Sequence, residues 1–150
     1  RKVSPKVHAM VVPGSQSVKL KAEKLGLKPL ARILSFSDAQ LAPEKFTVAP
    51  AKAIPIAVER AGKKMTDVDF LEINEAFSVV ALANNRQLKL DESKVNVNGG
   101  AIALGHPLGM SGTRILLSAA LELQERKKKY ALATMCIGVG QGYAVVLEGV

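Results

Sequence analysis

Apolar residues in this chain follow two patterns that alternate along it. In the first they run together: "VHAMVV" at 7–12, "PLARILSFS" at 29–37, "VDFLEIN" at 68–74, "YALATMCIG" at 130–138 and "GYAVVLE" at 142–148 predict five strands. In the second they recur every three or four positions, as on one face of a helix. Val18, Ala22 and Leu25 do so between a capping Ser17 and a terminating Gly26, and Ile54, Ala57, Val58 and Ala61 do so between Pro50 and Gly62. Ala76, Val79, Val80 and Ala83 form a third stripe within 75–88, and Ile115, Leu116, Ala119 and Leu123 a fourth within 110–126. Strands that alternate with helices and then close on a strand pair predict an α/β fold, with a mixed five-stranded sheet, helices on both faces and the last two strands antiparallel. The helix at 110–126 has so little polar surface that burial on all sides is expected. The run at 130–138 is expected to be buried on both faces.

At 150 residues, 48% hydrophobic and 23% charged, one compact domain over 1–150 is the expectation. No repeat, linker or low-complexity tract interrupts it. A single cysteine, Cys136, rules out an internal disulfide and favours a reducing compartment. No secretory h-region opens the chain, and the longest uncharged run, 95–113, is too rich in Gly and Asn for a membrane span. The first residue is Arg1 rather than Met, which suggests a fragment or a processed product. The net charge of +8 is concentrated in residues 1–30, where seven Lys or Arg face only Glu23. A basic face attracts nucleic acid or phosphorylated ligands, but four Phe, two Tyr and no Trp leave little for base stacking. The expectation is no nucleic-acid and no membrane partner.

Three residues stand where a predicted strand gives way to a helix or turn, the end of an open sheet where ligands bind. His106 lies in "NVNGGAIALGHPLGMSG" at 96–112, followed by Pro107 and a helix whose dipole disfavours imidazolium. A neutral ring there can act as base toward a thiol or hydroxyl, donate to an oxyanion, or simply satisfy the glycine loop. Cys136 precedes "IGVGQG". It is either an inert buried thiol or, beside a neutral His, an acid/base or nucleophile, with glycine amides free to donate nearby. Asn74 in "NEAF" is a helix N-cap or the holder of a water, and Phe77 is core or ligand contact. "GVGQG" at 138–142 leads into a strand, so it does not make a dinucleotide site. Two His and one Cys give no metal-ligand spacing. The basic tract 126–129 reads as a solvated helix end.

Taken together, "NEAF" at 74–77, the 96–112 block and "CIGVGQG" at 136–142 resemble, in order and spacing, the three signature blocks of the C-terminal half of thiolases, and the similarity extends over about 19–148. Within that family the acetyl-CoA acetyltransferase branch is the most similar. The resemblance implies an acyltransferase of lipid metabolism that condenses two acetyl-CoA to acetoacetyl-CoA and coenzyme A, or runs the reverse thiolysis. It implies no cofactor beyond coenzyme A thioesters as substrates. His106 would activate a nucleophilic cysteine and help form an oxyanion hole that a water on Asn74 completes. Cys136 would exchange the α-proton, Gly138 would offer its amide to the second oxyanion hole, and Ala76 and Phe77 would line the pantetheine passage. Thiolases use two cysteines. The nucleophile belongs to an N-terminal half, so this chain is expected to be inactive alone, to need that half as partner, and to be part of a homo-oligomer when complete. "RKVSPKVHAMVV" replaces the segment through which relatives enter this half, so no coenzyme A contact is carried over from it. The alternative is a non-catalytic thiolase-like domain that binds coenzyme A or a protein. Localisation is expected to be cytoplasmic, with mitochondrial or peroxisomal as alternatives.

Overall fold

A computed structural model describes residues 24–150. The expected strand at 7–12 and most of the first expected helix lie outside the described residues. The chain then forms β1 (Ala31–Gln40), α1 (Pro50–Arg60), β2 (Phe70–Ile73), α2 (Ser78–Leu88), the short α3 (Ala101–Leu104), α4 (Leu108–Glu125), β3 (Tyr130–Ile137) and β4 (Gln141–Gly149). The strands make one sheet in the order β1-β4-β3-β2. β3 and β4 pair antiparallel, as expected for neighbours joined by a tight turn, β1 pairs antiparallel with β4, and β2 runs parallel to β3. The sheet is therefore mixed, with β4 alone running against the rest. Four of the five expected strands are described, and beyond β2 the ladder continues through one parallel bridge from Leu71 to Val95.

Both faces carry helices. α1 lays Ile54, Ala57 and Val58 on Leu71, Ile73, Leu132 and Val146, and α4 lays Ala119, Ala120 and Leu123 on Phe70, Ala131 and Leu147. β2, in the angle between these layers, is buried at all four residues, the expected signature of a strand covered on both sides. α1 sits close to β1 because the facing residues are small. Buried Ser35 and Ser37 donate to the carbonyls of Ala57 and Ala53, each at 2.6 Å. α1 closes at Gly62, which has φ +65°.

Two expectations need correction. α2 starts at Ser78 rather than 75, so Asn74 is not its N-cap, and Val79 is exposed while Asn84 and Asn85 are buried. Asn84 is turned inward because its Nδ2 donates to the carbonyls of Thr47 and Val80. Nor is α4 covered all round: Leu108, Leu117 and Leu121 are exposed. Among the described residues α4 is the only helix of eight residues or more on its face of the sheet, so its outer side has nothing to pack on. Phe36 and Tyr143 on the same face are likewise exposed, and Tyr143 borders a cavity of about 280 Å³ together with Leu116 and Val145.

Candidate active site

β2 delivers Asn74 directly. Its backbone N–H donates to the Thr134 carbonyl at 2.9 Å, which extends the β2–β3 ladder by one residue and leaves the side chain 2% exposed. The side chain does not cap a helix; its Nδ2 lies 3.3 Å from His106 Nδ1. Its Oδ1 is buried with no hydrogen-bond partner, a state that a native interior seldom leaves unexplained.

His106 sits in the three-residue joint, 105–107, between α3 and α4. Gly105 takes φ +81° and Pro107 holds the N-cap position in an extended conformation, so the ring is set just ahead of an 18-residue helix. Ser111, one turn into α4 and fully buried, places Oγ 2.6 Å from His106 Nδ1 and 3.1 Å from the Pro107 carbonyl. When the Asn74 amide donates to it, Nδ1 is the acceptor and the ring carries its proton on Nε2; when Nδ1 carries the proton, Ser111 Oγ is its acceptor. Sequence reasoning did not find Ser111. The signal was present only as a serine five residues after a histidine at a helix start, a spacing that many unrelated serines share.

Cys136 comes next to last on β3, opposite Gly142, and is 5% exposed. Burial pushes its thiol above the ordinary value, so the neutral form is favoured. The β3–β4 turn follows at once, with Val139 at φ +62° and Gly140 at φ +85°. Gly140 packs so closely that an added Cβ would collide with the Leu41 carbonyl, and Leu41 N donates to Gly140 O at 2.8 Å. The "GVGQG" segment is thus a hairpin turn pinned to the chain after β1.

These pieces converge. Ala76, Phe77, His106, Cys136 and Gly138 line one open cavity of about 550 Å³, with Met135 and Phe46 among its walls. Asn74 stands behind it, touching His106. Phe77, half-exposed, is not core; its ring meets Phe46 edge-on at 6.2 Å. All six residues singled out from the sequence are thereby brought to one place. The arrangement offers a proton donor on a positioned imidazole, a buried thiol and a turn amide around a mostly apolar hollow, a set suited to chemistry that develops charge on oxygen.

Glu72, outside this cavity, is pushed up to about 7 by burial and, secondarily, by Glu122 and Glu75. It lines a different cavity of about 670 Å³ with Leu121 and Glu122. Among the described residues no cluster of His, Cys, Asp or Glu could hold a metal ion, and no helix is long and apolar enough to cross a membrane.

Comparison with known proteins gives a consistent picture. Residues 27–149 match the family model described as the thiolase C-terminal domain. An acetyl-CoA acetyltransferase of Arabidopsis thaliana is 53% identical over 85% of this chain and 31% of its own length. A cytosolic acetyl-CoA acetyltransferase of Gibberella zeae is 50% identical over 85% of this chain and 32% of its own length. The crystal structure of human mitochondrial 3-ketoacyl-CoA thiolase superposes with a TM-score of 0.83 at 45% identity, covering 88% of this chain and 33% of the other. The chain spans about a third of the length of the relatives it matches.

Proposed function

Since the chain belongs to the thiolase family, we propose that it is the C-terminal catalytic half of an acetyl-CoA acetyltransferase. The observation that carries this reading is the convergence of His106, Cys136 and Gly138 on one cavity, with Asn74 held against His106.

The chemistry follows from what each group can do. Condensation of two thioesters requires removal of an α-proton, and the enolate that results carries its charge on oxygen. The Cys136 thiolate takes that proton in the synthetic direction. In thiolysis the Cys136 thiol, which burial favours, returns it to carbon as the C–C bond breaks. The Gly138 amide, at the turn beside Cys136, donates to the oxygen of one thioester. The Nε2–H of His106 donates to the other, together with a water held at the unpartnered Oδ1 of Asn74. To act as base toward a nucleophilic thiol, His106 instead needs its proton on Nδ1. Ser111 Oγ can accept a hydrogen bond from that N–H, because its own hydrogen can go to the Pro107 carbonyl. One hydroxyl therefore supports both states of the ring.

The nucleophile itself is not in this chain, whose single cysteine is Cys136. It comes from the N-terminal half that relatives carry, and the bare outer side of α4 with Phe36 and Tyr143 is the surface that half would cover. The 150-residue chain alone is accordingly inactive, and the complete protein is a homo-oligomer. Cytosolic and mitochondrial relatives and a lone reduced cysteine support a reducing compartment, taken here as the cytoplasm.

The test is acetoacetyl-CoA thiolysis by the chain alone and by the chain supplied with a thiolase N-terminal half. Activity only in the mixture, abolished by Cys136→Ala, is expected. Activity in the chain alone would refute the missing-nucleophile argument. Silence in both, with association of the halves demonstrated, would favour a non-catalytic domain.

A further inference from the structure

The Asn74–His106 contact joins residues 32 apart in sequence, Asn74 at the last rung of a ladder and His106 outside any strand. What fixes their separation is a third group. Asn96, at φ +48°, uses its side-chain amide as a strand would use its backbone: Oδ1 accepts from Ile73 N at 2.7 Å and Nδ2 donates to Ile73 O at 2.9 Å. Its own N–H donates to Leu71 O at 2.8 Å. The same Nδ2 also donates to Glu75 Oε1 at 3.0 Å, and Glu75 Oε2 accepts from the backbone N–H of Ile102 at 3.0 Å. The carboxylate fits against Gly100, where an added Cβ would come within 2.5 Å of Glu75 Cδ.

Glu75 immediately follows Asn74, and Ile102 lies four residues before His106. One carboxylate thus ties the end of β2 to the start of α3, across the point where the two functional side chains must meet. We propose that Glu75 is a positioning residue that fixes His106 against Asn74, through Asn96 on one oxygen and the Ile102 amide on the other. An amide at this position cannot replace it, since only one of its two ends accepts, and either Asn96 Nδ2 or Ile102 N–H would face an NH₂ group. Gly100 is part of the device because it leaves room for the carboxylate. The catalytic consequence rests on the thiolase reading, but the geometric claim does not.

The experiment therefore has two arms. In the first, the 150-residue chain is labelled with ¹⁵N-histidine in a His8→Gln background, and the ring nitrogens of His106 are followed in wild type, Glu75→Gln and Gly100→Ala. Wild type is expected to show Nδ1 as the unprotonated acceptor, and both variants to move toward tautomer averaging, with Ile102 amide exchange at least about tenfold faster. In the second arm, thiolysis is measured with the N-terminal half supplied. A displacement of roughly an ångström at a reacting group costs about 10²-fold, so kcat is expected to fall by that order while KM for acetoacetyl-CoA stays within about threefold. Gly100→Ala keeps the carboxylate and only displaces it, so a shared signature separates positioning from general damage should Glu75→Gln fold poorly. Unchanged ring resonances in both variants, or unchanged kcat in an active mixture, would overturn the proposal. If wild type itself shows no thiolysis although the two halves associate, the functional reading fails, and the ring signature alone decides for or against the clamp.

Discussion

Val139 holds a backbone conformation that suits glycine. Its φ of +62° in the β3–β4 turn brings Cβ toward the following carbonyl, a clash of about 1–2 kcal/mol for an ordinary residue and more for a β-branched one. The side chain is 69% exposed, so trimming it forfeits only about 0.5 kcal/mol of burial. Val139→Gly also enlarges the freedom of the unfolded chain, which costs about 0.4–1 kcal/mol. The balance lies between neutral and about 1.5 kcal/mol in favour of glycine. Val139→Asn keeps the Cβ but offsets its clash by local hydrogen bonding of a short, unbranched side chain, without the unfolded-state cost, and is expected to gain about 1 kcal/mol. Urea unfolding of the 150-residue chain at constant m-value measures both. Loss of more than about 0.5 kcal/mol in both variants would refute the argument, because it would mean the valine side chain makes contacts that its exposure denies. Gly138, whose amide is proposed to face the substrate oxygen, precedes this residue. Strain stored next to a working group tends to be part of its placement, so the more stable Val139→Gly form is expected to have lower thiolysis kcat when the N-terminal half is supplied.

Two further predictions concern titration. Glu72 ionises at about 7 in the folded chain against 4.5 for a free glutamate, so between those values the folded state holds a proton that the unfolded state has released. Stability should therefore fall as pH rises from about 4.5 to 7, by on the order of 3 kcal/mol, and level off above. Subtracting the urea midpoints of Glu72→Gln from those of wild type at each pH isolates this contribution, and parallel curves would show it absent. Burial raises the Cys136 thiol above its usual value of 9.0, so alkylation by iodoacetamide at neutral pH should run at least about tenfold slower than that of a free thiol and still be climbing above pH 9. A rate that saturates below pH 9 would contradict it.

The strands and the two long helices could be read from hydrophobic spacing because each buries a continuous face, and that spacing is written locally. Failures arose where a side chain answered to something distant. Asn74 looked like a helix cap since its neighbours are helix formers, yet its amide is committed to His106, and α2 cannot begin until Ser78. α4 looked fully buried because its sequence is apolar all round; among the described residues its outer side is bare, because a sequence states what a surface prefers and not whether a neighbour is present. The candidate site was legible as separate motifs, through the residue types that its chemistry demands. Ser111, Asn96 and Glu75 were not singled out, because their importance lies in whom they touch. Glu75 reaches partners twenty-one and twenty-seven residues away, and no local pattern encodes such a pairing.

The sheet order also bears on how the chain is made. β1 has a single neighbour among the described strands, β4, so Ala31 must wait for Gly149. During synthesis β1 emerges early and remains without its described partner until more than a hundred further residues have been translated. The sheet cannot be assembled from one end as the ribosome delivers it, and long-range closure of this sort makes for slow folding. A premature stop codon just after β3, at residues 138–140, would leave β2 and β3 able to pair but strand β1 without its described partner.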